Sequence, residues 1–179
     1  MEDGHWAKTV ITRMAAKHVI DGVDATRFEP QGAVTRAEFA AMLVRLLGIQ
    51  ASGGGSSAGF NDVPQEAWYA AAVAAATDAG LVTGRSEGGF EPDSTVTRQE
   101  MAVMLMRAYE LKAGRQLSGQ AEQVFADAGQ IGGWAKEAVA AASAAGLLQG
   151  RGDGQFAPRE QLTRAESVQV LYNLLKSVK

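Results

Sequence analysis

The stretch that decides the fold is Thr35-Arg36-Ala37-Glu38, followed by Phe39-Ala40-Ala41-Met42-Leu43-Val44-Arg45-Leu46-Leu47. Thr-x-x-Glu ahead of an apolar run is the pattern of a capping box. Thr35 stands at the N-cap and Glu38 three residues on, and each satisfies a backbone N–H that a helix start leaves without a partner. The helix that follows is apolar nearly all round, interrupted only by Arg45. Such a helix belongs in a buried centre rather than on a surface. The pattern recurs: Thr97-Arg98-Gln99-Glu100 leads into Met101 to Ala108, interrupted by Arg107, and Thr163-Arg164-Ala165-Glu166 stands near the end of the sequence. Three helices with one kind of start predict one shared bundle.

Upstream of each box the same landmarks return in register. Trp6, Trp68 and Trp134 are each followed 16 residues later by Gly22, Gly84 or Gly150, and 22 residues later by Phe28, Phe90 or Phe156. Pro30, Pro92 and Pro158 follow, then the box, so that Trp to Glu spans 32 residues in every copy. Internal periodicity of this kind sets the architecture. A further piece, Phe60-Asn61-Asp62-Val63 and Phe125-Ala126-Asp127-Ala128, precedes the second and third tryptophans. By register its copy-one counterparts would lie at or before residue 1. The modules are therefore 1–50 (truncated at its start), 58–112 and 122–177. Ala51-Ser52-Gly53-Gly54-Gly55-Ser56-Ser57 reads as a flexible tether, and the second linker, Leu111 to Gln123, is polar.

Each module reads as helix, loop, helix. The first helix runs from about the tryptophan to Ala79 or Ala145, and Trp68, Ala72, Ala75 and Ala79 fall on one helical stripe. Its many alanines suit a thin helix packed closely on a neighbour. Gly80 and Gly146 stand where a left-handed C-terminal cap belongs, with Leu81 and Leu147 folding back. Copy one has His18 there, a residue that tolerates positive φ. Apolar second helices need neighbours to bury them, so one body is expected rather than three beads on a string.

Composition narrows the function. The 179 residues are 46% hydrophobic and 21% charged, ordinary for a globular chain, and contain no cysteine. Disulfides, zinc–thiolate sites and cysteine nucleophiles are thereby excluded. The formal charge of −3 argues against nucleic acid, which asks for a basic face. No stretch is apolar and long enough for membrane insertion. Met1-Glu2-Asp3-Gly4-His5-Trp6 lacks the basic and apolar regions of a signal peptide. Together with the repeats, this reads as a piece of a longer exported protein. His5 and His18 are the only histidines, they occupy unequal repeat positions, and no nucleophile–base pair can be assembled. No catalytic residue, metal site or cofactor is expected. Arg151-Gly152-Asp153 occurs in one copy only and is a coincidence of spelling.

The pattern Phe-x-Asp-Val, Trp-Ala, Gly-Leu-Val-x-Gly, Phe-x-Pro and Val-Thr-Arg-Ala-Glu resembles the S-layer homology (SLH) domain. The resemblance covers nearly all of the chain. It implies an all-α assembly of three modules about a pseudo-threefold axis, with the second helices bundled at the centre. It further implies a non-catalytic anchor at the bacterial cell surface, carried beside a cargo region outside this chain. Its partner would be a secondary cell-wall polysaccharide, held in grooves between modules. In much of the family the recognised end is a pyruvate-ketal N-acetylmannosamine. Protein–protein assembly within the surface layer is the competing function.

Several residues carry two readings. Arg36, Arg98 and Arg164 sit at N1, where the helix dipole disfavours a cation by about 0.3–1 kcal/mol. Something offsets that cost. An anionic ligand would do so, because a helix N-terminus plus a guanidinium makes a carboxylate site; so would an ion pair to the next module, with Asp62 or Asp127 as partner. On the ligand reading their loss should leave the fold largely intact. Gly22, Gly84 and Gly150 serve a turn of positive φ, close approach of a sugar to bare backbone, or both. The tryptophans are core anchors or sugar platforms. Asp62 and Asp127 cap the first helix or accept sugar hydroxyls. Arg85 and Arg151, replaced by Val23 in copy one, are auxiliary ligand contacts or solvated loop residues. With these departures gathered in copy one, its groove is expected to be the weakest, and the strongest sites are expected to use Arg98 or Arg164 with loops of the better-matched copies.

Overall fold

The computed structural model describes residues 5–22, 27–50, 59–117 and 125–178. The tether 51–57, Val23, the first four residues and 118–123 of the second linker lie outside them. The regular structure is helical, as expected: α1 (Lys8–Ala15), α2 (Arg36–Leu47), α3 (Ala70–Asp78), α4 (Arg98–Ala113), α5 (Lys136–Ala144) and α6 (Arg164–Ser177). Among the described residues the β structure is limited to isolated bridges.

The second helices begin as the sequence dictates. The Thr35, Thr97 and Thr163 hydroxyls accept from the backbone N–H of Glu38, Glu100 and Glu166, and each carboxylate accepts in return from the threonine N–H at 2.8–2.9 Å. The first helices end as expected too. His18, Gly80 and Gly146 adopt φ of 55°, 71° and 68°. The N–H groups of Val19, Leu81 and Leu147 reach back to the carbonyls of Met14, Ala76 and Ala142, closing a Schellman turn in every copy.

The packing differs from the picture of a self-contained helix–loop–helix. Among the described residues, the backbones of the two helices of one copy do not approach each other closely. Instead α3 packs on α2, α5 on α4 and α1 on α6, while α2, α4 and α6 meet one another at the centre. The first helix of each copy thus lies on the second helix of the copy before it, and the cycle closes from the last copy to the first. The reason is chemical: α2 buries Phe39, Met42, Leu43 and Val44 on several sides at once, more apolar surface than one short alanine-rich partner covers. Buried residues of all three copies form one continuous core, which meets the expectation of a single body.

The buried stripe of the first helix is rotated from the one expected. Val73 and Ala76 in α3, and Val139 and Ala142 in α5, are fully enclosed. The helices start two residues after the tryptophans, and Trp6, Trp68 and Trp134 lie 60–65% exposed. They are not core anchors.

A ring of hydrogen bonds ties the three box-leading segments together. Val34 N–H donates to the Leu162 carbonyl (3.0 Å), Leu162 to Val96 (2.8 Å) and Val96 to Val34 (2.9 Å). This ring sets the second helices side by side with their N-termini at the same level.

Candidate functional site

The arginine of each box crosses into the next copy. Arg36 donates from Nε to the Phe90 carbonyl (2.8 Å), from Nη2 to the Thr83 carbonyl (2.9 Å) and from Nη1 to Glu100 (3.4 Å). Arg98 repeats the set on Phe156 (2.7 Å), Gln149 (2.9 Å) and Glu166 (2.8 Å). Arg164 closes the cycle on Phe28 (2.9 Å), Asp21 (2.7 Å) and Glu38 (3.3 Å). Each guanidinium also lies 4.8–5.0 Å from the centre of that phenylalanine ring. The three residues are only 4–6% exposed. Burial pulls the Arg36 and Arg98 guanidiniums below their ordinary pKa, and the neighbouring glutamates push the other way.

Two expectations change here. The ion-pair partner is the capping glutamate of the next copy, not Asp62 or Asp127. That glutamate serves its own helix start and the neighbour's arginine together. Burial raises the carboxyl pKa of Glu100 and Glu166, but the Thr97 and Thr163 N–H groups and the arginines hold both below the ordinary range. The helix N-termini, moreover, do not await an anion. The N–H of Arg36 donates to Ser94 and that of Ala37 to Pro92; Arg98 and Gln99 do the same to Glu160 and Pro158, and Arg164 and Ala165 to Gly32 and Pro30. Carbonyl oxygens of the neighbouring copy plug each helix start. That answers what offsets a cation at N1.

The aspartates are loop clamps rather than helix caps. Asp62 accepts from the N–H of Phe90 (2.8 Å) and Glu91 (2.7 Å), and Asp127 from Phe156 (2.8 Å) and Ala157 (2.7 Å). The first helices have no side-chain cap. Glu91 and Ala157 sit at φ of 58° and 57°, a left-handed conformation that L-residues adopt at a cost, and the clamp holds them there. Burial disfavours the charge on both aspartates, yet these paired N–H donors lower their pKa overall.

Of the two reasons expected for the loop glycines, positive φ does not hold in copies two and three, at Gly84 and Gly150. A Cβ on Gly84 would stand 2.9 Å from the Gly89 carbonyl and 3.0 Å from the Phe60 ring; on Gly150, 2.7 Å from the Gln155 carbonyl and 2.9 Å from Phe125. The close approach is made by the protein itself. Gly22 is exposed beside Asp21. Arg85 and Arg151 are not free loop residues: Arg85 pairs with Glu91 and Glu100, and Arg151 with Glu160 and Glu166.

These parts meet in grooves between copies. One cavity of about 380 Å³ is lined by Arg36, the loop Val82–Arg85, Glu100, Val103, Met104, Arg107 and Trp134. An equivalent of about 390 Å³ is lined by Arg98, Gly146–Gly150, Glu166, Gln169, Val170, Asn173 and Trp6. Most repeat positions recur in both, with Asn173 where the first has Arg107, while Arg85 lines only the first and Gly146 and Leu147 only the second. Each draws on three copies: the arginine of one, the loop and second helix of the next, and the tryptophan of the third. Within each lining an exposed indole stands with a buried guanidinium and bare loop backbone. That combination offers an apolar platform, a cation and amide donors to a small polar ligand with an acidic group. The part missed from sequence was the sharing of each glutamate; the signal was Arg and Glu tripled together in one motif. Among the described residues no cluster of three or more His, Asp or Glu side chains is placed to hold a metal ion. No helix there is long and apolar enough to cross a membrane.

Comparison with known proteins agrees with the architecture. The family model described as the S-layer homology domain matches residues 2–40, 59–102 and 124–166. An amylopullulanase of Thermoanaerobacterium thermosulfurigenes is 38% identical over 172 residues, 96% of this chain and 9% of that protein. The surface-layer 125 kDa protein of Lysinibacillus sphaericus is 31% identical over 97% of this chain and 14% of its own length. A cellulosome-anchoring protein of Acetivibrio thermocellus is 29% identical over 88% of this chain and 35% of its own. The chain thus spans about a third or less of these relatives.

Proposed function

The chain belongs to the S-layer homology domain family, and we propose that it is the non-catalytic anchor of a larger bacterial surface protein, holding cell-wall polysaccharide in the grooves between its copies. The observation that supports this best is the pair of matched cavities, each joining an exposed tryptophan of one copy to the buried arginine of another. An indole left 60% exposed in an otherwise well-packed body is a flat apolar face suited to stacking on a sugar ring. The arginine and the loop backbone supply donors for hydroxyl and acidic groups.

The ligand is a pyruvylated N-acetylmannosamine terminus of a secondary polymer. Its ketal carboxylate meets the cationic side of the groove, which Arg36, Arg85 and Arg107 line in one site and Arg98 lines in the other. Gly84 and Gly150 keep the loop low enough for the sugar to enter. Asp62 and Asp127 shape that loop from behind. The third set, Arg164, Gly22 and Trp68, follows the same cyclic relation and forms the weakest groove, because Arg164 reaches into the loop of copy one and not into a better-matched copy. Relatives named as catalysts are many times longer than the stretch they share with this chain, and the anchor works beside such cargo rather than as an enzyme. The place of action is the cell wall. Several grooves on one body give avidity for a multivalent polymer.

Co-sedimentation with purified wall polymer, before and after chemical removal of pyruvate, tests this reading. Binding that falls sharply on depyruvylation supports it. Equal binding to both overturns the pyruvyl assignment, and no binding to either overturns the carbohydrate one.

A further inference from the structure

Seven residues beyond the shared glutamate, the three central helices carry Arg45, Arg107 and Asn173. The repeat places them alike, and their surroundings differ. Arg45 is tied to the Asp21 carboxylate at 2.6 Å. Asn173 donates to the Leu147 carbonyl (3.0 Å) and accepts from Gln169 (2.9 Å). Arg107, half-buried on α4, makes no hydrogen bond or ion pair among the described residues, although it lines the cavity beside Trp134. Where copy one has Asp21, copy two has Thr83 and copy three Gln149. The carboxylate that neutralises Arg45 is therefore missing from the Arg107 groove. Glu110 and Glu137 line the adjoining cavity with Arg107 and Trp134, and neither is within ion-pairing distance of it. Every other arginine of these grooves has an acceptor: Arg36 and Arg85 are both engaged by Glu100, Arg98 and Arg151 by Glu166.

We propose that Arg107 is the anion-selecting residue of the Trp134 groove, pairing with the ligand's carboxylate and making this groove the tightest of the three. This rests on the reading that the grooves hold an acidic sugar. Its physical basis is that a guanidinium already committed to a carboxylate must give up that pair to bind another. Arg107 gives up only water. Beside a partly enclosed cavity its pairing with a carboxylate is charge-assisted and capable of bidentate geometry.

The test is titration with pyruvate-ketal N-acetylmannosamine, and with the same sugar lacking pyruvate, followed through the indole N–H resonances of Trp6, Trp68 and Trp134. In the native protein the Trp134 signal is expected to move at the lowest concentration of the pyruvylated sugar. Arg107→Ala should raise the Kd at Trp134 about tenfold or more, with Arg107→Lys recovering part of it and Arg45→Ala leaving it unchanged. The thermal midpoint of Arg107→Ala should stay close to that of the native protein, because no internal hydrogen bond or ion pair is lost. An unchanged Kd at Trp134, an equal loss for the sugar without pyruvate, or a midpoint that falls with the affinity overturns the role of Arg107 while leaving the sugar reading in place. If no indole responds to either sugar in the native protein, the sugar reading fails first and this inference with it.

Discussion

Arg98→Ala is expected to destabilise the whole body, not merely to weaken a ligand. The side chain is 4% exposed and bridges copy two to copy three through three acceptors. Its loss leaves the Phe156 and Gln149 carbonyls without their donor, and an unsatisfied buried acceptor costs about 1–3 kcal/mol. Water entering the vacated space moves both toward the lower half of that range. The cation over the Phe156 ring, 5.0 Å away, contributes about 0.5–2 kcal/mol more. Glu166 loses little, because Arg151 also donates to it at 3.0 Å. Together these give about 2.5–6 kcal/mol, a span that includes the roughly 3–5 kcal/mol found when one partner of a buried pair is removed. At about 2–4 °C per kcal/mol for a chain of this size, the midpoint should drop by roughly 10 °C. Urea unfolding and calorimetry measure it, with Arg151→Ala, a partly exposed pair worth about 1 kcal/mol or less, as the comparison. If Arg98→Ala costs no more than Arg151→Ala, the guanidinium is not what joins the copies, and its burial has been misread.

Gly84→Ala and Gly150→Ala should lower stability by about 1–3 kcal/mol, as overpacking does, because their Cβ atoms meet Phe60 and Phe125 as well as a carbonyl; unchanged urea midpoints would contradict this. Trp134→Ala should leave the unfolding midpoint almost unmoved, its ring being 61% exposed, yet reduce co-sedimentation with wall polymer; the reverse pattern would make it a packing residue. Asp62, Asp127, Glu100 and Glu166 all have folded pKa values below their ordinary ones. Their stabilisation is thus fully present above about pH 4.5, near the unfolded carboxyl range, and is lost as pH falls through the lower folded values. Urea midpoints measured from pH 6 to 2 should decline only in the acid range, and Asp127→Asn should flatten that decline.

Much of the fold could be read from local rules. A capping box acts within four residues, and a Schellman turn within six, so Thr35 with Glu38 and Gly80 with Leu81 were legible one copy at a time. Even His18 followed from what its position demands. What escaped was long-range. Nothing in residues 36–38 says that Arg36 reaches Glu100, because the register of one copy against the next is set by the Val34–Val96–Leu162 ring and not by local pattern. The tryptophan was ambiguous for a related reason: whether it faces in or out depends on a two-residue difference in where the helix begins. The glycines were recognised as necessary, but positive φ is not the cause at Gly84 and Gly150; the crowding comes from loop carbonyls and from Phe60 and Phe125, more than twenty residues upstream. Of the candidate site, the residue types were visible, and the three-copy sharing of each groove was not.

The closing contact between α1 and α6, with Arg164 inserted into copy one, makes the number of copies a property of the geometry. An open solenoid has two free ends and accepts another unit at either. Here the face that would receive a fourth unit is already taken by the first. Lengthening such a chain would therefore start a second body rather than enlarge this one. Removing a copy would strand an arginine, a helix start and an apolar face at the same seam. The module is counted in threes because the third copy has nowhere to dock but back on the first.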